Sequence, residues 1–132
     1  MNPVIITLVA GLTASLMGFL SGSILLKYKG ERALVFFVPV MEETLKTLAA
    51  TVFGAGIVST HMVFGTVEAL YDLYSSPEAY SVTAALLSIA SHTLLGAATW
   101  FILKYSGSAV LAVLAASVLH SLWNRIMIGY TG

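Results

Sequence analysis

Acidic, basic and imidazole side chains interrupt segments of this sequence that are otherwise apolar. They comprise two adjacent glutamates followed closely by a lysine, a third glutamate and two histidines: Glu42, Glu43, Lys46, Glu68, His92 and His120. Carboxylates and imidazoles bind divalent metals and transfer protons, which are the two activities that hydrolysis of an acyl bond requires. The set therefore indicates a hydrolytic or metal-binding site.

The spacing of these residues suits helices. Glu42 and Glu43 would lie about 100° apart around a helix, so one can face a site while the other lies beside it. Lys46 follows them by four and three residues, the favourable order for an ion pair, and we predict that it neutralises a glutamate. His120 and Asn124 share one helix face. Asn124 could support His120, or it could bond to a neighbouring helix, as polar residues in membranes often do.

Two reaction schemes fit these groups, and the sequence leaves both open. In the first, Glu43, Glu68, His92 and His120 bind a divalent metal, with zinc as the expected ion and an activated water in an open position. In the second, a glutamate takes a proton from a water held by a histidine, and Asn124 or a histidine donates to the developing oxyanion. The predicted catalytic residues are Glu42, Glu43, Glu68, His92, His120 and Asn124.

The rest of the chain must position these groups, and its composition predicts a membrane protein. Hydrophobic residues make up 58% of the 132 residues and charged residues only 9%, against about 25% charged in soluble domains. Six basic residues balance six acidic ones, so no charge excess indicates a nucleic-acid partner. A charged side chain near the bilayer centre costs roughly 2.5–3.5 kcal/mol, so the polar residues should face the interior of a bundle.

We predict an all-α fold, a polytopic bundle of about five transmembrane helices forming one integral membrane domain over residues 1–132, with the motif-bearing core at about 33–128. A helix needs about 20 mostly apolar residues to span a bilayer, and the third segment is shorter than that. A turn at 75–78 contains Pro77, and His61 is predicted to be interfacial because it comes at the start of the third segment. The five segments are 4–26, 33–58, 60–74, 82–104 and 108–128.

The positive-inside rule predicts the orientation in the cell membrane. The loop at 27–32 holds Lys27, Lys29 and Arg32 and should be cytoplasmic, which places the N-terminus outside and the C-terminus inside. Small residues recur every four positions along the first segment and allow another helix to approach closely. They predict packing inside the bundle or, alternatively, a homodimer seam through Ala10, Ala14, Gly18 and Gly22.

Four short motifs resemble those of the PrsW-type intramembrane proteases. Residues 41–46 (MEETLK) are similar to the EExxK signature of that family, and 64–68 (FGTVE) to its FxxxE segment. Residues 91–96 (SHTLLG) resemble the third motif and 120–124 (HSLWN) the HxxWN motif, in the same order along the chain. A more distant resemblance reaches the CAAX prenyl protease and bacteriocin-processing superfamily. The early Lys46, and Glu68 in place of a histidine, favour the PrsW-like branch.

The resemblance implies an intramembrane endopeptidase that cuts a membrane-protein or membrane-anchored substrate. The glutamate pair, Glu68, His92 and His120 would form its active site. The same superfamily includes a scaffold subunit of an intramembrane protease complex (Aph-1), so a non-catalytic scaffold or metal-binding subunit is the alternative. A cation or proton carrier is a third possibility, since buried acids and histidines also build relays, but the sequence has no inverted repeat.

Overall fold

A computed structural model describes residues 2–30 and 32–131, and these residues form an all-helical bundle of five α-helices. Glu31, in the predicted charged loop, lies outside the described residues. The helices are α1 (Pro3–Lys29), α2 (Arg32–Phe53), α3 (Ile57–Ser75), α4 (Glu78–Ser106) and α5 (Ala109–Thr131). The predicted all-α bundle of five helices is therefore confirmed.

Local chemistry explains where the helices begin and end. Asn2 caps α1 by accepting a hydrogen bond from the Val4 N–H at 2.8 Å, and Pro3 occupies the first helical position, where its missing N–H costs nothing. Pro77 separates α3 from α4, as the sequence predicts. Gly107 ends α4 in the left-handed conformation, with φ at 66°, which glycine adopts without a steric penalty.

The boundary between α2 and α3 differs from the prediction. The sequence assigns the second segment to 33–58 and the third to 60–74, whereas α2 ends at Phe53 and α3 begins at Ile57. The cause is Gly54, whose φ of 67° reverses the chain four residues earlier than the apolar pattern suggests. As a result α3 has 19 residues and is about 28 Å long, close to the thickness of a hydrocarbon core.

Three of the helices within the described residues are long and apolar enough to cross a membrane: Pro3–Lys29, Glu78–Ser106 and Ala109–Ile128. The other two, α2 and α3, carry the acidic residues and pack among them. Large apolar side chains such as Phe19, Leu94 and Leu122 point outward and are more than half exposed. The bundle thus turns its apolar surface outward and its polar side chains inward, the arrangement expected of a membrane protein.

The small residues of α1 pack inside the bundle. Ala10 and Ala14 are almost completely buried, and a Cβ atom at Gly18 would lie 3.1 Å from the Phe64 ring on α3. At Gly22, the nearest atoms to such a Cβ belong to Val38 on α2, 3.9 Å away. These contacts correspond to the intramolecular alternative, and a homodimer through the same stripe stays a prediction.

Helices α3 and α4 cross at two reciprocal contacts between a glycine and a histidine. A Cβ atom added to Gly65 would lie 2.8 Å from the Cβ of His92, and one added to Gly96 would lie 2.7 Å from the Cβ of His61. Each histidine therefore packs against a glycine of the opposite, antiparallel helix. The two contacts bring the helix backbones close together and fix the depth at which both imidazoles enter the bundle.

Candidate functional site

Glu43 is the centre of the buried polar residues. Its side chain has no solvent exposure and contacts groups from three other positions. Lys46 Nζ lies 2.6 Å from Oε1 and His120 Nδ1 lies 2.8 Å from the same oxygen, while His61 Nε2 lies 3.1 Å from Oε2. The ion pair predicted for Lys46 thus forms with Glu43, and Glu43 connects α2 to α3 and α5.

His61 belongs to this site, contrary to its predicted place at the membrane interface. It is fully buried because α3 begins earlier than the sequence suggests and because Gly96 leaves room for the imidazole. Its Nδ1 donates to the Ile57 carbonyl oxygen at 2.9 Å, and its Nε2 faces Glu43. Both partners are acceptor oxygens, so the two ring nitrogens of His61 bridge the Ile57 carbonyl and Glu43.

The sequence does contain a pattern that could have predicted the burial of His61, namely the spacing between histidine and glycine. His61 and Gly65 are four residues apart, and so are His92 and Gly96. In each pair the histidine and the glycine share one helix face. In the antiparallel pair α3–α4, each histidine then meets the glycine of the other helix.

His92 connects Lys46 to Glu68. Lys46 Nζ lies 3.0 Å from His92 Nδ1, and His92 Nε2 hydrogen-bonds with Glu68 Oε2. An ammonium group can only donate, so Nδ1 accepts and Nε2 carries the hydrogen that it donates to Glu68. Phe64 packs against the same imidazole, with ring centroids 5.1 Å apart. Lys46 and Glu68 thereby hold His92 in one tautomer and one orientation.

Glu42, His92 and His120 form a group that could hold a metal ion. One ligand atom from each lies within 4.8 Å of the others, and His120 Nε2 lies 3.9 Å from Glu42 Oε2. His120 donates through Nδ1 to Glu43, which leaves Nε2 directed towards Glu42. A carboxylate behind a ligating histidine is the usual arrangement in metal sites. For His92 to bind the ion, its contact with Lys46 or with Glu68 would have to open.

This group differs from the predicted ligand set in its glutamate. The sequence assigns Glu43 and Glu68 as ligands beside the two histidines, but Glu43 is occupied by its three buried partners and Glu68 bonds to His92. Glu42, predicted as catalytic, is the glutamate that approaches both imidazoles. The two neighbours face different ways because successive residues diverge by about 100° on a helix.

Asn124 hydrogen-bonds to a neighbouring helix, and no hydrogen bond joins it to His120 among the described residues. Its Nδ2 donates to the Leu34 carbonyl oxygen at 2.9 Å and ties α5 to α2, the interhelical role that the sequence analysis allows for. Asn124 also lines a small polar cavity of about 190 Å³, together with Glu68, Asp72 and Ser88. There, Ser88 Oγ donates to Asp72 Oδ2 at 2.5 Å.

Searches among protein families, curated proteins and solved structures returned nothing that matches this chain.

Proposed function

We propose that this chain is an intramembrane endopeptidase, a hydrolase that cleaves peptide bonds of membrane proteins with water activated at a buried Glu/His site. The observation that carries the proposal is the convergence of Glu42, His92 and His120 from three helices, with ligand atoms within 4.8 Å of one another. The burial of these residues inside an apolar bundle supports a site that works within the membrane. The motif resemblance within 41–124 supports the same reaction class.

A divalent metal fits the donor set, and zinc suits two imidazoles and a carboxylate best. Glu42, His92 and His120 would hold it, and Glu43 would orient His120 through the Nδ1 hydrogen bond. When bound, zinc polarises a carbonyl oxygen and lowers the pKa of a bound water. Lys46 would hold Glu43 in place beside His120 through their ion pair.

The same residues can also work without a metal. His120 Nε2, which faces Glu42, would accept a hydrogen bond from a water, and Glu42 would take the proton as the water attacks. His92 would turn its Nε2 hydrogen from Glu68 to the developing oxyanion. Glu42 would then pass the proton taken from the water to the leaving amine as the peptide bond breaks. Both schemes place Glu42 and His120 at the reacting water, so both make the same first prediction.

The direct test measures cleavage of a transmembrane peptide by purified protein in detergent. We expect Glu42→Gln and His120→Ala to lower the rate by about 10²-fold or more, because each removes a group that handles the water. Glu78→Gln is the matched control, since Glu78 lies in the first turn of α4 and outside the site. Undiminished cleavage in both site variants would overturn the proposal.

Metal content separates the two schemes. Zinc bound in a one-to-one ratio to the native protein, and lost in both His92→Ala and His120→Ala, would establish metal-assisted hydrolysis. Cleavage by protein that holds no zinc would establish the scheme in which Glu42 acts alone as the base. The folded state of each variant is checked by its helical circular dichroism, so that lost metal is not confused with lost structure.

A second candidate function is a non-catalytic scaffold or metal-binding subunit. It is favoured by the full pairing of Glu43, whose three partners tie α2 to α3 and α5 with no group left for chemistry. A scaffold predicts no cleavage by the native protein. It also predicts that Glu42→Gln changes nothing measurable, whereas Glu43→Ala disrupts the bundle.

We further propose that the chain lies in the cell membrane with its N-terminus outside, because the loop at 27–32 concentrates basic residues. The natural sequence contains no cysteine, so single cysteines can be labelled without background. Ser75→Cys, at the end of α3, should react from the cytoplasmic side, and Ser106→Cys, at the end of α4, from the outside. The reverse labelling pattern would show that the N-terminus is on the cytoplasmic side.

A further inference from the structure

An apolar cavity of about 330 Å³ lies between α1, α2 and α3, beside the polar site. Its volume is at the lower end of the range of small ligand pockets. Ser15, Gly18 and Gly22 form its α1 wall, and Val38 and Phe64 face them from α2 and α3. The predicted small-residue stripe therefore has a second role, since it opens a space in the bundle as well as allowing helices to approach.

The lining of the cavity reaches the outer surface of the bundle. Phe19 and Tyr71 line it there, both more than half exposed, and their rings meet edge to face with centroids 6.3 Å apart. This surface is the apolar one that faces lipid in a membrane-embedded bundle. A molecule could therefore enter sideways from the hydrocarbon region, between α1 and α3, without crossing water.

Glu42 and Glu68 are the two acidic residues in the lining of the cavity. Glu42 is the glutamate of the candidate metal group, so the cavity leads directly to the site. No hydrogen bond among the described residues engages the Glu42 carboxylate, whose contact with His120 Nε2 is 3.9 Å long. Glu42 is thus an acceptor at membrane depth that still needs a donor, and the cavity is the side from which a donor can approach.

Glu68 also borders the smaller polar cavity, which lies on its other side between α3, α4 and α5. That cavity presents Asp72, Ser88 and Asn124, which suits water, whereas the larger one presents mainly aliphatic and aromatic groups. The two cavities meet at one carboxylate but differ in polarity. Hydrolysis needs one apolar reactant from the membrane and one water, and the pair of cavities matches that need.

We propose that the apolar cavity binds the substrate as an extended, uncharged, apolar peptide segment whose backbone N–H groups donate to Glu42 and Glu68. This assignment rests on the proposed function and adds the substrate class and its route. An unwound peptide in a membrane must find partners for its backbone groups, and the two glutamates in the lining of an apolar cavity supply acceptors for its N–H groups. A lipid acyl chain fits the walls but offers no donor to either carboxylate.

The test is a binding measurement with a defined probe. An acetylated, amidated peptide of leucine, alanine and valine, bearing one benzophenone, is photo-crosslinked to the purified protein in detergent micelles. Mass spectrometry then locates the labelled residues. Gly22→Leu fills the cavity, because a side chain there meets only Val38 at 3.9 Å before entering open space. Thr13→Leu is the control, adding the same side chain to the exposed face of α1.

We expect the native protein and Thr13→Leu to be labelled on α1, α2 and α3 around the cavity, and Gly22→Leu to lose at least about 90% of that labelling. Equal labelling of Gly22→Leu overturns the assignment, and so does displacement of the peptide by a benzophenone-bearing fatty acid that labels the same residues. Cleavage of the peptide is followed in parallel. If the peptide binds but is not cleaved, the proposed hydrolysis is wrong and the assignment of the cavity stands. If Gly22→Leu cleaves the peptide as fast as the native protein, the assignment of the cavity is wrong and the proposed hydrolysis stands.

Discussion

The polar residues in the middle of the bundle form two regions with opposite surroundings. The closed cluster, Glu43, Lys46 and His61, has no solvent exposure, and its acidic and basic groups hydrogen-bond to one another. The open pair, Glu42 and Glu68, borders the apolar cavity, and Glu68 borders the polar one as well. Their side chains are 13% and 41% exposed. Similar residue types thus serve different ends: the closed cluster holds helices together, while the open pair faces the space in which a substrate and water would meet.

The largest effect on stability should come from breaking the closed cluster. Glu43→Ala removes the acceptor shared by Lys46, His61 and His120, and it leaves the lysine buried without a counter-charge. We expect the free energy of unfolding to fall by about 3–5 kcal/mol. Unfolding in mixed micelles of increasing dodecyl sulfate, followed by helical circular dichroism, measures the change.

The double variant Glu43→Gln/Lys46→Met serves as the control for that prediction. It removes both charges together, so it should recover much of the loss caused by Glu43→Ala. A Glu43→Ala protein as stable as the native one would mean that the closed cluster does not hold the helices together, and the contrast with the open pair would disappear.

The next largest effect should come from separating α3 and α4. In Gly65→Ala, the new methyl group would lie 2.8 Å from both the Cβ of His92 and the Ser88 carbonyl oxygen, so the helices must move apart. We expect a loss of about 1–3 kcal/mol, measured by the same unfolding experiment. Gly22→Ala is the matched control, because its methyl group would meet only Val38 at 3.9 Å. Equal effects of the two substitutions would argue against the close crossing.

His61 provides a sharper test of the closed cluster. His61→Phe keeps an aromatic ring but removes the donor to Glu43 Oε2 and the side-chain donor to the Ile57 carbonyl oxygen, and it should cost about 1–3 kcal/mol. His61→Gln retains a donor and should lose less. Thermal unfolding of the two proteins side by side ranks them. If His61→Gln is the less stable of the two, the hydrogen bonds of His61 are not what stabilises the cluster.

The smallest effect on stability should come from the open pair. Glu42→Gln removes no hydrogen bond of the described residues and keeps the volume of the side chain. We expect the free energy of unfolding to change by less than about 0.5 kcal/mol, the usual size of a substitution away from a paired network. Loss of cleavage with unchanged stability would show that the open pair and the closed cluster have different roles. A fall of several kcal/mol in the free energy of unfolding would show that the open pair also stabilises the bundle.

The sequence predicted the positions of the helices along the chain better than it predicted which face of each helix points to the site. Long apolar segments and Pro77 located α1, α4 and α5, because hydrophobic length is a local property. It could not tell whether Glu42 or Glu43 faces the two histidines, since neighbours 100° apart on a helix are equivalent until the partners are placed. His61 was misplaced for a similar reason, because its burial depends on a turn at Gly54 and on a glycine in another helix.

The crossing of α3 and α4 has a consequence for how such a sequence can change. Positions 61 and 96 form one contact and positions 65 and 92 the other, and at each of them the glycine meets the Cβ atom of its histidine. Because every residue except glycine has a Cβ atom, a smaller side chain opposite does not make room for a larger residue at either glycine. Related sequences should therefore keep glycine at positions 65 and 96, whichever residues stand at 61 and 92. Insertions in the turn at Pro77 should be tolerated, whereas one inserted residue between 61 and 65 would misalign both contacts at once.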